Sequence, residues 1–212
     1  MTIKTSKTNL VVNSVTSLNQ SLFLWMNAPQ HPDAAVLTIA TFFAQFAIWS
    51  IPLIITVGWL FNGEHTRKRL VLASASGMAG LLINQIIGLV WQHPRPFMIG
   101  LGNTFMSHAN ETSFPSDHLT LLLAVAFSLL TNRQSRWLGI ALALLGLPVA
   151  WSRIYLGVHF PVDMAGSFAV AALCAWLTWF AAPWYLQRVY DIAHRTYRIS
   201  LHKLIELGWI RR

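Results

Sequence analysis

Three short stretches carry nearly all the side chains that could act on an anion: HPRPF over His93–Phe97, SFPSDH over Ser113–His118, and SRIYLGVHFPVD over Ser152–Asp163. Together they offer two arginines, at least two histidines, a serine at a helix start and an aspartate. Arginine presents a planar fork of donors that matches phosphate oxygens, and a helix N-terminus adds unpaired amides and the positive end of a dipole. Pro115, Ser116 and Asp117 lead into an apolar run. The Ser116 hydroxyl and the amides of Asp117 and His118 are thereby placed to face the anion that Arg95 and Arg153 attract. His159 and Asp163 are four apart, so on a helical turn the carboxylate can hold one ring nitrogen and leave the other free to attack phosphorus. His118 is placed to protonate the departing oxygen and then to activate water, work suited to a group that titrates near neutral pH. The predicted site is therefore His159, His118 and Asp163 as catalytic groups, with Arg95, Ser116, Asp117 and Arg153 around the phosphate. His93 and His108 stand outside that set, either touching substrate or facing water, and His31, His65, His194 and His202 read as interfacial. No group of histidines and carboxylates has the spacing of a metal site, and the arginines supply the positive charge a metal would bring.

The elements that must position these residues follow from composition. A chain of 212 residues that is 55% hydrophobic and 10% charged, with ten tryptophans, is too apolar for a soluble domain. It cannot be a disulfide scaffold, since Cys174 is its only cysteine, nor a disordered segment. The net charge of +8 lacks the basic helix interleaved with stacking aromatics that nucleic-acid binding uses. The sequence therefore predicts an all-α, polytopic membrane helix bundle, a single domain over 1–212 whose motifs occupy 93–163. A spanning helix needs about 20 mostly apolar residues. Five segments qualify or nearly so: Ala34 to Phe61 with a kink at Pro52, Leu70 to Trp91, His118 to Leu130, Trp137 to Trp151, and Val162 to Pro183. The third and fourth are short, which suggests that the loops capping them are recessed into the bundle.

Eleven of the fifteen basic residues fall on one side: Arg67, Lys68, Arg69, Arg133, Arg136, Arg188, Arg195, Arg198, Lys203, Arg211 and Arg212. That side is cytoplasmic by the positive-inside rule. Counting alternations puts all three polar clusters on the opposite, outer face. Polar residues at membrane depth cost about 2.5–3.5 kcal/mol each on insertion scales, so their convergence on the face that disfavours arginine marks a site rather than ordinary helix ends. Val11, Val15, Leu18, Leu22 and Trp25 recur at helical spacing, interrupted by Asn13, Asn19 and Gln20. This predicts an N-terminal amphipathic helix at the outer interface, or a sixth span, retained rather than cleaved. The basic, aromatic tail after Pro183 suits a helix on an anionic inner leaflet or a solvated end.

The three clusters resemble the three-part signature of the phosphatidic acid phosphatase type 2 superfamily of lipid phosphatases. Its third part is matched by Ser152, Arg153, His159 and Asp163; its second reads PSDH, with Asp117 where glycine is usual; its first keeps Arg95-Pro96 but has Gly88 where a lysine would fall. Within it, the HPRPF and FPSDH text, SRIYLGVH and the early LNQSLFLWMNA are similar to bacterial undecaprenyl-diphosphate phosphatases of the bacitracin-resistance type. The resemblance implies hydrolysis of undecaprenyl diphosphate, a polyprenyl diphosphate lipid, at the outer face of the inner membrane through a phosphohistidine and without metal. Phosphatidylglycerophosphate, phosphatidate and lipid A phosphates are alternative substrates. A transporter or anion-binding receptor would instead predict repeated halves and broken mid-membrane helices, which the sequence lacks.

Overall fold

The computed structural model describes the backbone of residues 3–211 and side chains from Ser14 onward. Among these residues there are helices and no strands. They run α1 (Ile3–Met26), α2 (Ala34–Phe46), a 3₁₀ turn (Ala47–Trp49), α3 (Ser50–Phe61), α4 (Glu64–Val90), a second 3₁₀ turn (Pro96–Ile99), α5 (Asp117–Leu130), α6 (Arg136–Tyr155), α7 (Pro161–Ser200) and α8 (His202–Glu206). Four segments are long and apolar enough to cross a bilayer: Ala34–Phe61, Glu64–Val90, Arg136–Tyr155 and Pro161–Ser200. The protein is a multi-pass membrane helix bundle.

The third predicted span is α5, only 14 residues, or about 21 Å of helix against the roughly 30 Å of a hydrocarbon core. It can be short because it is the central helix: nine of its residues are buried, and α4, α6 and α7 pack around it. Small residues on α4 let α5 approach closely, as membrane helices that lack a hydrophobic drive to associate commonly require. A Cβ at Gly80 would lie 2.9 Å from Thr120 Cγ2, and the Ser76 hydroxyl donates to the Ala124 carbonyl at 3.0 Å.

Three boundaries differ from the sequence reading. The break in the first span is the 3₁₀ turn at Ala47–Trp49, just ahead of Pro52, whose missing N–H and ring disfavour regular helix in the turn before it. The fourth span is not short: α6 continues through Tyr155 and carries Ser152 and Arg153 as helical residues. A cation in the last turn suits the negative end of the helix dipole. The fifth does not stop at Pro183, since α7 runs on to Ser200. The extension is held by packing at the end remote from the polar clusters. There Arg67, one of the basic residues assigned by sequence to the cytoplasmic side, is buried: Nε donates to the Trp59 carbonyl at 2.8 Å, Nη2 to the Arg211 carbonyl at 2.7 Å, and the guanidinium lies 4.6 Å from the Tyr197 ring centroid.

α1 is not among the helices apolar enough to span. Val15, Leu18, Leu22 and Trp25 are exposed, as a lipid-facing stripe would be, while Val11 lies outside the described side chains. Phe23 and Asn19 tie α1 to the start of α7: Phe23 is buried against Phe160, and Asn19 Oδ1 accepts from the Val162 amide at 3.1 Å.

Candidate active site

His159 sits in the bend between α6 and α7, almost wholly buried. Pro161 opens α7 at a position where a missing N–H costs nothing, and Asp163, three residues into the cap, reaches back to accept from the Phe160 amide at 2.8 Å. The same oxygen, Oδ2, lies 3.2 Å from His159 Nδ1 and accepts a hydrogen bond from Ser113 Oγ. A carboxylate can only accept, so Nδ1 carries the proton and Nε2 presents its lone pair. The predicted pairing of histidine and carboxylate is thus formed. Burial, and next the guanidiniums of Arg153 and Arg95, hold the His159 imidazole well below the usual histidine range, which keeps Nε2 unprotonated.

Nε2 faces both arginines, with Arg95 Nη1 at 3.1 Å and Arg153 Nη2 at 3.3 Å. Arg95 is clamped by three carbonyls at 3.1 Å: Nε to Glu111, Nη1 to Val158 and Nη2 to Thr112. These bonds fold the 100–116 loop over the site. Arg153 donates from Nη1 to the Ala44 carbonyl at 3.3 Å, while its Nε is buried with no hydrogen-bond partner. The Ser116 hydroxyl is likewise buried and unpartnered. A buried donor without an acceptor carries a desolvation cost, which an anion seated among these groups would relieve.

Ser116 also anchors α5 to α7, its amide donating to Ser167 Oγ at 2.9 Å and its carbonyl accepting from Ser167 Oγ at 3.0 Å. Asp117 turns its carboxylate toward α4, where Oδ1 accepts from Asn84 Nδ2 at 2.8 Å and Oδ2 from Gln85 Nε2 at 3.3 Å. Its contribution to an anion is therefore confined to the backbone amide at the helix start. His118, half-buried on the first turn of α5, faces a cavity of about 570 Å³. Arg95, Asp117, Arg153 and His159 line the same cavity; Asp163 and Ser116 sit behind it. Five of the seven predicted residues therefore line one pocket, brought there by α5, α6 and two loops, with Asp163 of α7 backing His159 and Ser116 opening α5. In chemical terms this is a recessed anion cradle with a neutral, oriented imidazole at its floor and a second imidazole at its wall.

Residues 69–187 match the PAP2 superfamily. The chain belongs to the PAP2 superfamily. It has relatives that align over nearly their whole length. It is 36% identical to undecaprenyl-diphosphatase BcrC of Bacillus subtilis, over 88% of this chain and 95% of that protein. It is 35% identical to the putative undecaprenyl-diphosphatase YbjG of Escherichia coli, over 92% and 98% respectively. Among solved structures, Aquifex aeolicus LpxE superposes with a TM-score of 0.64 at 21% identity, covering 76% of this chain and 94% of that one. The first transmembrane PAP2 type phosphatidylglycerolphosphate phosphatase from Bacillus subtilis gives 0.59 at 20% identity, covering 78% and 85%. These likenesses establish the fold, and the relatives establish a lipid phosphatase.

The sequence reading of this PAP2 chain assigned no task to Ser113, Asn84 or Gln85. Ser113 lay inside a recognised cluster, yet nothing local indicates that its hydroxyl meets Asp163 fifty residues on. Asn84 and Gln85 did leave a signal, two adjacent amides inside an otherwise apolar span, where polar side chains are costly.

Proposed function

We propose that this protein hydrolyses undecaprenyl diphosphate to undecaprenyl phosphate and inorganic phosphate at the outer face of the bacterial inner membrane, recycling the lipid carrier of cell-wall synthesis. The observation that carries this reading is the unprotonated Nε2 of His159, backed by Asp163 and facing both Arg95 and Arg153. The 35–36% identity to proteins named undecaprenyl-diphosphatases favours the diphosphate over other lipid phosphates. The basic residues concentrated at the opposite end of the bundle support the outward orientation.

In the proposed reaction the terminal phosphate enters the cradle and displaces the His159 ring as acceptor for the two arginines, with Ser116 Oγ, Arg153 Nε and the amides at the start of α5 completing its contacts. Nε2 attacks phosphorus in line with the bridging oxygen. The N–P bond forms as the bridging P–O bond breaks, and His118 gives its proton to the leaving lipid phosphate. Asp163 stabilises the charge that develops on the ring. His118 then takes a proton from water, which attacks the phosphohistidine and releases phosphate with His159 restored. Fixed positive groups around a transferring phosphoryl should be the largest single contribution, since they need no reorganisation as charge develops.

The test is phosphate release by detergent-purified protein on undecaprenyl diphosphate beside phosphatidate and phosphatidylglycerophosphate, with His159→Ala as control. Preference for the diphosphate that vanishes in the variant is the expected result. Equal turnover of the glycerolipids would retain the histidine chemistry and replace the substrate.

A further inference from the structure

The family's first motif has a lysine where this chain has Gly88, and the structure gives a steric reason: a Cβ at Gly88 would lie 2.7 Å from Thr112 Oγ1. Thr112, on the 100–116 loop, stands against the position from which a side chain at 88 would start. The same loop brings His108 to the cavity wall. His108 Nε2 lies 3.1 Å from Arg153 Nη2, and its ring centroid is 6.2 Å from that of His159. Among the described residues it is the only side chain outside the predicted site that hydrogen-bonds to the guanidinium of either cradle arginine.

Arginine cannot accept a hydrogen bond, so His108 Nε2 must accept here, and the ring is neutral while the cradle is empty. Burial and the nearby charges of Arg95 and Arg153 push its pKa down, opposed by Glu111; His118 and His159 face it from α5 and from the α6–α7 bend, and Asp117 lies on the same cavity. An arriving phosphate changes both conditions. It takes the Arg153 donor that His108 had been accepting, and its negative charge offsets the two guanidiniums that disfavoured an imidazolium.

We propose that His108 is the third cationic contact of the phosphate cradle, standing in for the missing lysine: it accepts from Arg153 when the site is empty, and when phosphate binds it takes a proton from solvent and donates Nε2–H to the anion. This rests on the reading of the pocket as a phosphate site. Unlike a lysine, such a contact is charged only with substrate present. The two guanidiniums therefore need not share an empty pocket with a third fixed charge.

Inorganic diphosphate is the probe, bound by calorimetry to detergent-purified full-length protein, with turnover of undecaprenyl diphosphate measured in parallel. His108→Gln can still accept from Arg153 but cannot take a proton. It should bind diphosphate about 10-fold or more weaker than wild type near pH 6, a gap that closes by about pH 8 as the wild-type ring ceases to protonate. His108→Lys, a fixed cation, should keep tight binding at both pH values, and in turnover the Gln variant should lose through KM rather than kcat. Both variants lie on a half-exposed loop and are checked for monodispersity by size exclusion. A wild-type to Gln ratio that does not change with pH, a Lys variant no better than Gln, or no binding of diphosphate by wild type would overturn the proposal. Because binding is read without turnover, inactivity toward undecaprenyl diphosphate with the binding pattern intact strikes the proposed function and leaves this contact standing.

Discussion

At the scale of single residues the proposed mechanism divides the site into groups that react and groups that aim them. His159→Ala removes the attacking nitrogen and should abolish turnover in a protein that still folds, measured as phosphate release alongside a thermal melt. His118→Ala leaves the nucleophile intact and removes only acid–base assistance, so its loss should be partial, about 10²–10⁴-fold. Ser113→Ala removes one of three contacts on Asp163 Oδ2 without touching substrate. It should reduce kcat more than KM, because it loosens the orientation of His159 rather than phosphate binding. The titration of His159 gives a further expectation with a definite sign. Burial holds its folded pKa well below the ordinary histidine value of 6.5, so the ring stays unprotonated as pH falls through that value. An unfolded chain binds a proton there and the folded one does not, so stability contributed by the neutral ring is full above about pH 6.5 and declines as pH falls toward the folded pKa. Chemical denaturation between about pH 7.5 and 5.5 should show that decline, and His159→Gln should flatten it.

At the scale of elements, the site depends on how closely α5 approaches its neighbours. Two glycines at these seams differ in what stands opposite. A Cβ at Gly139 of α6 would fall 2.8 Å from the Ala126 carbonyl oxygen and 2.9 Å from the Leu130 nitrogen, both backbone of α5 or its end. A Cβ at Gly77 of α4 would fall 2.6 Å from Leu121 Cδ1, the far end of a flexible side chain. Backbone cannot yield without moving the helix, so Gly139→Ala should destabilise by about 1–3 kcal/mol, and Gly77→Ala by less. Thermal unfolding in one detergent checks the order. The sequence foresaw which segments are helical from their apolar runs, but missed how far α6 and α7 continue. Polar text ended both in the reading; in the protein Arg153 remains helical with Nη1 on the Ala44 carbonyl, and Tyr190 and Tyr197 bury the α7 extension beside Trp59. Those are contacts between distant segments, and no local pattern carries them.

At the scale of the molecule, one end of the bundle gathers the anion cradle and the other the basic residues, which gives a topology that can be tested. In a Cys174→Ala background, with both positions exposed, Ala109→Cys on the cavity loop should react with a membrane-impermeant thiol reagent in intact spheroplasts, and Gln134→Cys between α5 and α6 only after lysis. Reaction of both from one side would contradict the membrane orientation. The amino-acid sequence by itself determined the membrane class, the approximate spans and the polar clusters that come together, because each rests on a cost assessed one residue at a time: an apolar run needs lipid, and a cluster of charges in such a chain needs a reason. Only the tertiary structure decided that Ser113 completes the His159–Asp163 pair, that Asn84 and Gln85 hold Asp117, that a loop fills the space beside Gly88, and that His108 meets Arg153. Hydrogen bonds form or fail within a few tenths of an ångström, and separations that fine are set by side chains packing between helices far apart in the chain.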